Sequence, residues 1–227
     1  MQHSTSIAEQ GFSIIPNVFH HQEIERVLEQ IERRNLPRSR AGVRHALRHP
    51  EIAKLARDRR LIQLASEILG HAAFPYGATL FDKSAVANWL VVWHQDTALP
   101  LRKRSEVPGW GPWSVKDGVL YAHAPATALS KIVTLRLHFD DSTECNGPLR
   151  VLPGTHEMGV LTDDEIQQLE CRMIPVECIV SRGGVLAMRP LIVHSSSKSR
   201  LGAARRVLHI EYAASRVMRD GLELAVL

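Results

Sequence analysis

Cysteine is scarce in this chain, and what there is lacks pattern. Cys145, Cys171 and Cys178 are an odd number without CxxC spacing, which argues against a disulfide framework or a thiolate zinc site and leaves reduced, structural thiols as the expectation. Long apolar runs are also missing, since none approaches the ~20 residues of a membrane-spanning helix. The opening MQHSTSIAEQGFSIIPNVF has no basic stretch followed by an apolar core and a small-residue cleavage site, so it does not resemble a secretory leader. A cytoplasmic protein without a membrane partner is expected. Internal repeats, low-complexity tracts and linkers are absent. The charge imbalance is small, +4 with a pI near 9.2, and leans only weakly towards an anionic ligand. The basic residues are scattered rather than gathered into a recognition motif, so no nucleic-acid partner is expected.

Present instead is an ordinary globular balance, 44% hydrophobic and 23% charged over 227 residues. That length suits one domain spanning 1–227. Within HHQEIERVLEQIERRN, Ile24, Val27, Leu28 and Ile31 recur at helical spacing after the short apolar run of GFSIIPNVF, which predicts strand, turn and helix. A second helix is expected from about Glu51 to Leu69, with Ile52, Leu55, Ala56, Ile62, Leu64 and Ala65 as apolar positions and Gly70 as its stop.

Beyond Gly70 the pattern becomes short strand-like runs: YGATLFDK, NWLVVWH, KIVTLRLHFDD, LRVLP, VECIVSR, GVLAMRP, LIVHSSS and RRVLHIEYAA, separated by NGP, PGTH and RGG turns. Many short strands after a helical start predict a mainly β fold, a double-stranded β-helix or cupin-like jelly roll with N-terminal helices buttressing one face. The segment Thr97 to Ala128, rich in Pro, Gly and Trp, shows little periodicity. It is expected to be a long loop, either functional or disordered.

The chemistry concentrates at Trp93-His94-Gln95-Asp96. On an extended strand His94 and Asp96 point to the same face and converge on one point. A lone HxD is a common accident, equally a histidine oriented by a surface carboxylate. His194 in LIVHSSS, about 100 residues further on, ends another strand-like run that a jelly roll can bring beside the pair. Two histidines and one carboxylate form the facial triad of non-haem iron(II) sites, hard enough to hold iron without thiolate and open on one face for oxygen. Arg205, at the start of RRVLHIEYAA, carries a planar guanidinium suited to a carboxylate. Taken alone it is as well read as solvent-facing, like its neighbour Arg206. Ser196 adds a hydroxyl donor two residues past His194.

WHQD, then NGPLRVLPGTH from Asn146 to His156, then His194 followed by Arg205 match in order the motifs of the phytanoyl-CoA dioxygenase family, and GFSIIPNVFHHQEIERVLEQI resembles that family's opening. The chain is thus similar to the family over nearly its whole length. The resemblance implies Fe(II) as cofactor, 2-oxoglutarate as co-substrate and O2 as oxidant, with 2-oxoglutarate converted to succinate and CO2 as a small-molecule substrate is hydroxylated. It implies His94, Asp96 and His194 as iron ligands and Arg205 as the partner of the 5-carboxylate. Related halogenases replace the carboxylate ligand with a small residue, so the presence of Asp96 favours hydroxylation.

Further candidates stand around this set. Thr134, Arg136 and His138 share one face of KIVTLRLHFDD, either turned into a polar barrel interior or towards water at an edge. Thr134 and Lys83 are added as co-substrate contacts. Gly147, Pro148, Pro153 and Gly154 set turns, His156 is assigned a structural role, and Trp89 and Trp93 are candidate walls of the site or core residues. Arg102, Lys103, Arg104, Trp110, Trp113 and His123 suit either a lid that orders over an anionic substrate, such as an acyl thioester or phosphorylated metabolite, or an exposed basic loop. Two other functions fit parts of the pattern: a non-catalytic jelly-roll metal-binding protein, and a metal-dependent cupin hydrolase or isomerase, which needs the triad but not Arg205. Oligomeric state is not encoded in any feature of the chain.

Overall fold

The computed structural model describes residues 2–34, 36, 42–84, 87–200, 204–218 and 221–227. Helix α1 (Gln2–Gln10) and strand β1 (Phe12–Ile15) lead to helix α2 (His21–Arg33), strand β2 (Gly42–Val43), and helices α3 (Pro50–Ala56) and α4 (Arg59–Leu69). Strands β3 (Phe74–Lys83), β4 (Val91–His94), β5 (Ala98–Leu101), β6 (Trp113–Lys116) and β7 (Val119–His123) follow. The short helix α5 (Ala126–Leu129) precedes β8 (Ile132–His138) and β9 (Leu149–Val151). Helix α6 (Asp163–Arg172) precedes β10 (Val176–Cys178), β11 (Val185–Met188), β12 (His194–Ser196) and β13 (Arg205–Ala213). No helix among the described residues is long and apolar enough to cross a membrane.

Two antiparallel sheets form the jelly roll. The larger runs β1-β11-β8-β13-β3-β2 and the smaller β10-β9-β12-β4. Strand alternation explains how the larger sheet serves two masters. On β13, Leu208, Ile210 and Tyr212 turn outward into the main apolar cluster with Leu135 and Leu137 of β8, and Ile24, Leu28, Ile52, Leu61 and Ala65 of the helices complete that cluster. The intervening residues of β8 and β13, among them Arg136, Arg205 and His209, turn to the interior. Tyr212 ties the layers together by donating from its hydroxyl to the Ala56 carbonyl at 2.8 Å.

The expected helix from Glu51 to Leu69 is in fact two. Asp58 leaves helical geometry, and its carboxylate accepts from the Arg60 backbone N–H at 2.9 Å, capping α4 instead of continuing α3. Helix α1 carried no amphipathic signal and buries Ile7.

The segment Thr97 to Ala128 is not a structureless loop. It contains a third sheet, β5-β7-β6, and helix α5. Leu99, Leu101, Trp110, Ala122 and Leu129 bury themselves there with Leu222 and Leu224 from the C-terminal segment. Pro100 is tolerated because β5 is an edge strand, where a missing N–H breaks no ladder bond. Among the cysteines, Cys178 is buried and its thiol is pushed up to about 12 by desolvation. Cys145 and Cys171 are free and exposed, so the expected structural role fits Cys178 alone.

Candidate active site

Strands β12 and β4 pair antiparallel with His194 directly opposite His94, which brings the two rings to a centroid separation of 4.2 Å. Each ring is oriented from behind: His94 Nδ1 donates to the Val92 carbonyl at 2.8 Å and His194 Nδ1 to the Ile192 carbonyl at 2.9 Å. Because a carbonyl can only accept, both Nε2 atoms keep their lone pairs for a ligand. Those atoms lie 3.6 Å from Asp96 Oδ1 and Oδ2 respectively. All three donor groups fall within 4.8 Å of one another.

Asp96 reaches this point differently from the expected strand alternation, since β4 ends at His94. The turn beyond it is clamped. Asp96 N donates to the Pro190 carbonyl at 2.9 Å, while the Gln95 amide donates to Gly159 O and Leu191 O and accepts from Leu161 N. Burial alone would raise the Asp96 carboxyl, but His194 and His94 beside it hold it well below the usual range. Burial lowers His194 to about 4, whereas at His94 burial is opposed by the hydrogen bond and charge of Asp96 together with the Val92 carbonyl, and the balance raises it. Asp96 Oδ2 is buried without a hydrogen-bond partner. An orphaned carboxylate oxygen between two imidazole lone pairs is a donor set that fits a divalent cation.

A second group converges below the triad. Arg205 is only 4% exposed, and its guanidinium donates to Asn146 O at 3.3 Å and Ser196 Oγ at 3.2 Å. Lys83, its direct partner across β3 and β13, donates to Ser196 Oγ at 3.0 Å and Ser197 O at 2.6 Å. Arg136, also buried, meets His209 Nδ1 at 2.8 Å. None of these three cations has a carboxylate in ion-pair range among the described residues. Desolvation, with repulsion from their neighbours, lowers Lys83 to about 7 and Arg205 to about 9, and desolvation lowers Arg136 to about 10. Arg136 Nε and both ring nitrogens of His138 are buried and unpaired. Burying uncompensated positive charge is costly unless an anion joins it.

The triad, Arg136 and Arg205 open on one cavity of about 450 Å³ between the sheets, with Lys83 behind Ser196. A family model described as phytanoyl-CoA dioxygenase matches residues 7–207 of the sequence. The chain belongs to the phytanoyl-CoA dioxygenase family. Among curated members, an L-proline trans-4-hydroxylase from Streptomyces griseoviridis is 27% identical over 70% of this chain and 62% of its own length. An ectoine dioxygenase from Bordetella parapertussis is 28% identical over 66% of this chain and 47% of its own. The chain thus spans roughly half to three fifths of these relatives. Its fold is shared with the epimerase SnoN solved with Fe3+, alpha-ketoglutarate and nogalamycin RO (TM-score 0.75, 18% identity, covering 100% of this chain and 94% of that one). It is also shared with EctD from S. alaskensis with bound Fe (TM-score 0.71, 18% identity, 99% and 79%).

In this family member the other expected residues divide. Ser196 lines the cavity, but its proton goes to the Gly147 carbonyl at 2.9 Å while Lys83 and Arg205 donate to its oxygen, so it bridges the cations. Lys83 stands behind Ser196, and Thr134 is buried; neither is in the cavity wall. Trp89 lines the cavity, whereas Trp93 packs on the far side against Leu152 and Val193. Gly147, at φ 69°, is required because a Cβ there would meet the Ser197 carbonyl at 2.3 Å. His156 contacts the Ala8 carbonyl and stays clear of the triad. Of Arg102, Lys103, Arg104, Trp110, Trp113 and His123, only His123 is in the lining, where Lys116 joins it; Arg102 pairs with Glu223 and Arg104 with Glu106 outside it. Sequence reasoning missed His45, Tyr121, His209 and Glu211, all in the lining. Only alternation along RRVLHIEYAA, carried on past Arg205, would have marked His209 and Glu211.

Proposed function

We propose that this chain is an Fe(II)- and 2-oxoglutarate-dependent dioxygenase that hydroxylates a small molecule. The observation that carries the reading is the pairing of a dihistidine–carboxylate cluster, with its orphaned Asp96 oxygen, and a buried floor of three cations with no carboxylate in ion-pair range among the described residues. Iron would be held by His94, Asp96 and His194, and Arg205 would take the distal carboxylate of 2-oxoglutarate. Bound together, iron and 2-oxoglutarate supply oxygen activation, the keto acid leaving as succinate and CO2 while one oxygen atom of O2 enters the substrate as hydroxyl.

The protein's own contribution is positioning. Val92 and Ile192 carbonyls fix the tautomers of the two histidines, and the Gln95 clamp fixes the turn that presents Asp96. Ser196 holds Arg205 and Lys83 to one point, keeping two repelling cations together ahead of the anion they serve. Phe81, Trp89, Val91 and Leu149 line the same cavity and limit water around it. A hydrolase or isomerase on this barrel would use the triad but has no need of the cationic floor. Purified protein loaded with iron should convert 2-oxoglutarate to succinate under O2, and His194→Ala should remove both iron and turnover. Retention of stoichiometric iron and succinate formation by His194→Ala would sink the assignment.

A further inference from the structure

One carboxylate in the cavity wall is used neither by the triad nor by the cationic floor. Glu211 projects from β13 into the cavity, on the same face as Arg205 and His209. Six residues of extended strand, roughly 20 Å, separate it from Arg205. His209 lies between them, close enough to Asp96, His194 and His94 to feel their charges. The cavity therefore has a cationic end, a metal-binding middle and an end that carries the Glu211 carboxylate, with Arg44 and Lys116 exposed at its rim.

The acidic end is a built site. Glu211 Oε1 accepts from the buried Tyr76 hydroxyl at 3.2 Å. Across the ladder stands Gly77, where a Cβ would come within 2.5 Å of Glu211 Oε2, so the glycine leaves the space this carboxylate occupies. No cationic side chain lies within ion-pair distance of Glu211 among the described residues. Burial and the nearby Asp96 push its carboxyl up to about 7, so near neutral pH it is partly protonated and a cation placed beside it would draw it into the charged form. The nearest positive influence is Lys116, exposed on the cavity rim.

We propose that Glu211 is the substrate-recognition residue of this cavity and that the primary substrate carries a protonated nitrogen which docks on its carboxylate. This rests on the oxygenase reading for what then happens to the substrate, and it reverses the expectation of an anionic substrate drawn from Arg102 to Arg104. Those residues are not in the cavity lining, and of the charges that are, beyond the triad and the floor, Arg44 and Lys116 are exposed at the rim while Glu211 is the carboxylate set into the wall. An ammonium held there, at the end of the cavity opposite the bound dicarboxylate, leaves its carbon skeleton to extend towards the metal.

The test uses three probes of matched ring size at pH 8, where Glu211 is ionised: pyrrolidine (cation), N-acetylpyrrolidine (neutral) and cyclopentanecarboxylate (anion). Their binding to the iron-loaded protein, anaerobic, with and without 2-oxoglutarate, is read by ligand-detected NMR competition. Pyrrolidine should bind at least about 10-fold more tightly than the other two, a difference of about 1.4 kcal/mol. Glu211→Gln should remove that preference, and Lys116→Ala should tighten pyrrolidine a few-fold by removing the opposing charge. Equal binding of the three probes, a preference for the anion, or an unchanged preference in Glu211→Gln overturns the proposal. Gln is nearly isosteric and keeps an acceptor for Tyr76; if that variant does not fold, failure of Lys116→Ala to tighten pyrrolidine overturns it instead. Titration of 2-oxoglutarate in the same samples separates the two readings, because absent 2-oxoglutarate binding with intact cation preference removes the oxygenase alone.

Discussion

Arg205 and Arg206 are adjacent in sequence and opposite in situation. The pleat sends Arg205 inward to the unpaired floor. Arg206 turns outward, forming a bidentate pair with Asp140 at 2.8 Å and reaching Glu32 at 2.6 Å. These bonds with Asp140 and Glu32 raise Arg206 above its ordinary value, whereas burial lowers Arg205. Removing each should therefore damage a different property. Arg205→Ala should weaken 2-oxoglutarate by about 100-fold, or about 2.7 kcal/mol, with iron affinity nearly unchanged, because a partly dry carboxylate loses its counter-charge. Arg206→Ala should leave 2-oxoglutarate affinity within about 2-fold and instead lower stability by roughly 1 kcal/mol, the scale of a partly exposed pair. Anaerobic titration followed through the metal-to-ligand absorption band measures the first, and urea denaturation the second. An Arg206 variant deficient in 2-oxoglutarate binding would mean that the inward register has been assigned to the wrong arginine.

Helix α4 stands on a junction that a periodicity argument cannot see. Asp58 caps it, and Arg60 gathers Asp58, Glu23 of α2 and the Val18 carbonyl within 3.2 Å while stacking over Phe19 at 3.8 Å. The Arg60 hydrogen bonds hold the Asp58 and Glu23 carboxyls below their ordinary values. For acids depressed in the folded state, the stabilisation is complete above the unfolded values of 3.8 and 4.5 and disappears as pH falls through and below them. Asp58→Ala should cost about 1 kcal/mol at pH 7 from the lost cap, with a smaller penalty at pH 3, read from urea midpoints at the two values. An equal penalty at both would show that the carboxylate charge contributes nothing there. The same junction shows where the sequence was legible. Apolar spacing located α2, most strands and the jelly roll, because burial on one face imposes a period. It merged α3 with α4, since Asp58 breaks the helix through a hydrogen bond and not through an apolar gap. It also missed β5 to β7, whose alternation is obscured by Pro100 and by burial against the distant Leu222 and Leu224. The cluster of His94, Asp96 and His194 was legible because chemistry restricts its residue types; alternation from Arg205 puts Glu211 on the inner face, but only the paired strand, with Gly77 opposite, shows the space built for it.

Across the whole molecule, the larger sheet carries a gradient of charge on its inner face, and the cationic end stores a cost in the ligand-free fold. Lys83, 1% exposed, faces Arg205, Arg136, Ser196 and the Trp89 ring, with no acid among them. Desolvation, with the two arginines, brings it from 10.5 to about 7. Between those values the unfolded chain binds a proton that the folded chain does not, so this group makes stability rise with pH from about 7 towards 10 and fall as pH drops towards 7. Arg205 and Arg136, lowered in the same way, act in the same direction. A dicarboxylate on the floor reverses the balance at Lys83 by favouring its charged form, so binding takes up a proton and weakens as pH rises. We therefore expect the ligand-free protein to melt at a higher temperature at pH 9 than at pH 7, with the gain from saturating 2-oxoglutarate larger at pH 7. At 100 times its dissociation constant that gain is about 2.7 kcal/mol, on the order of 5–10 °C for a chain of this size. Lys83→Met should flatten both trends while preserving the fold, since the methionine retains most of the buried stem. Thermal melts of both proteins at pH 7, 8 and 9, with and without 2-oxoglutarate, decide the matter: identical pH slopes for wild type and Lys83→Met would place the proton elsewhere in the molecule.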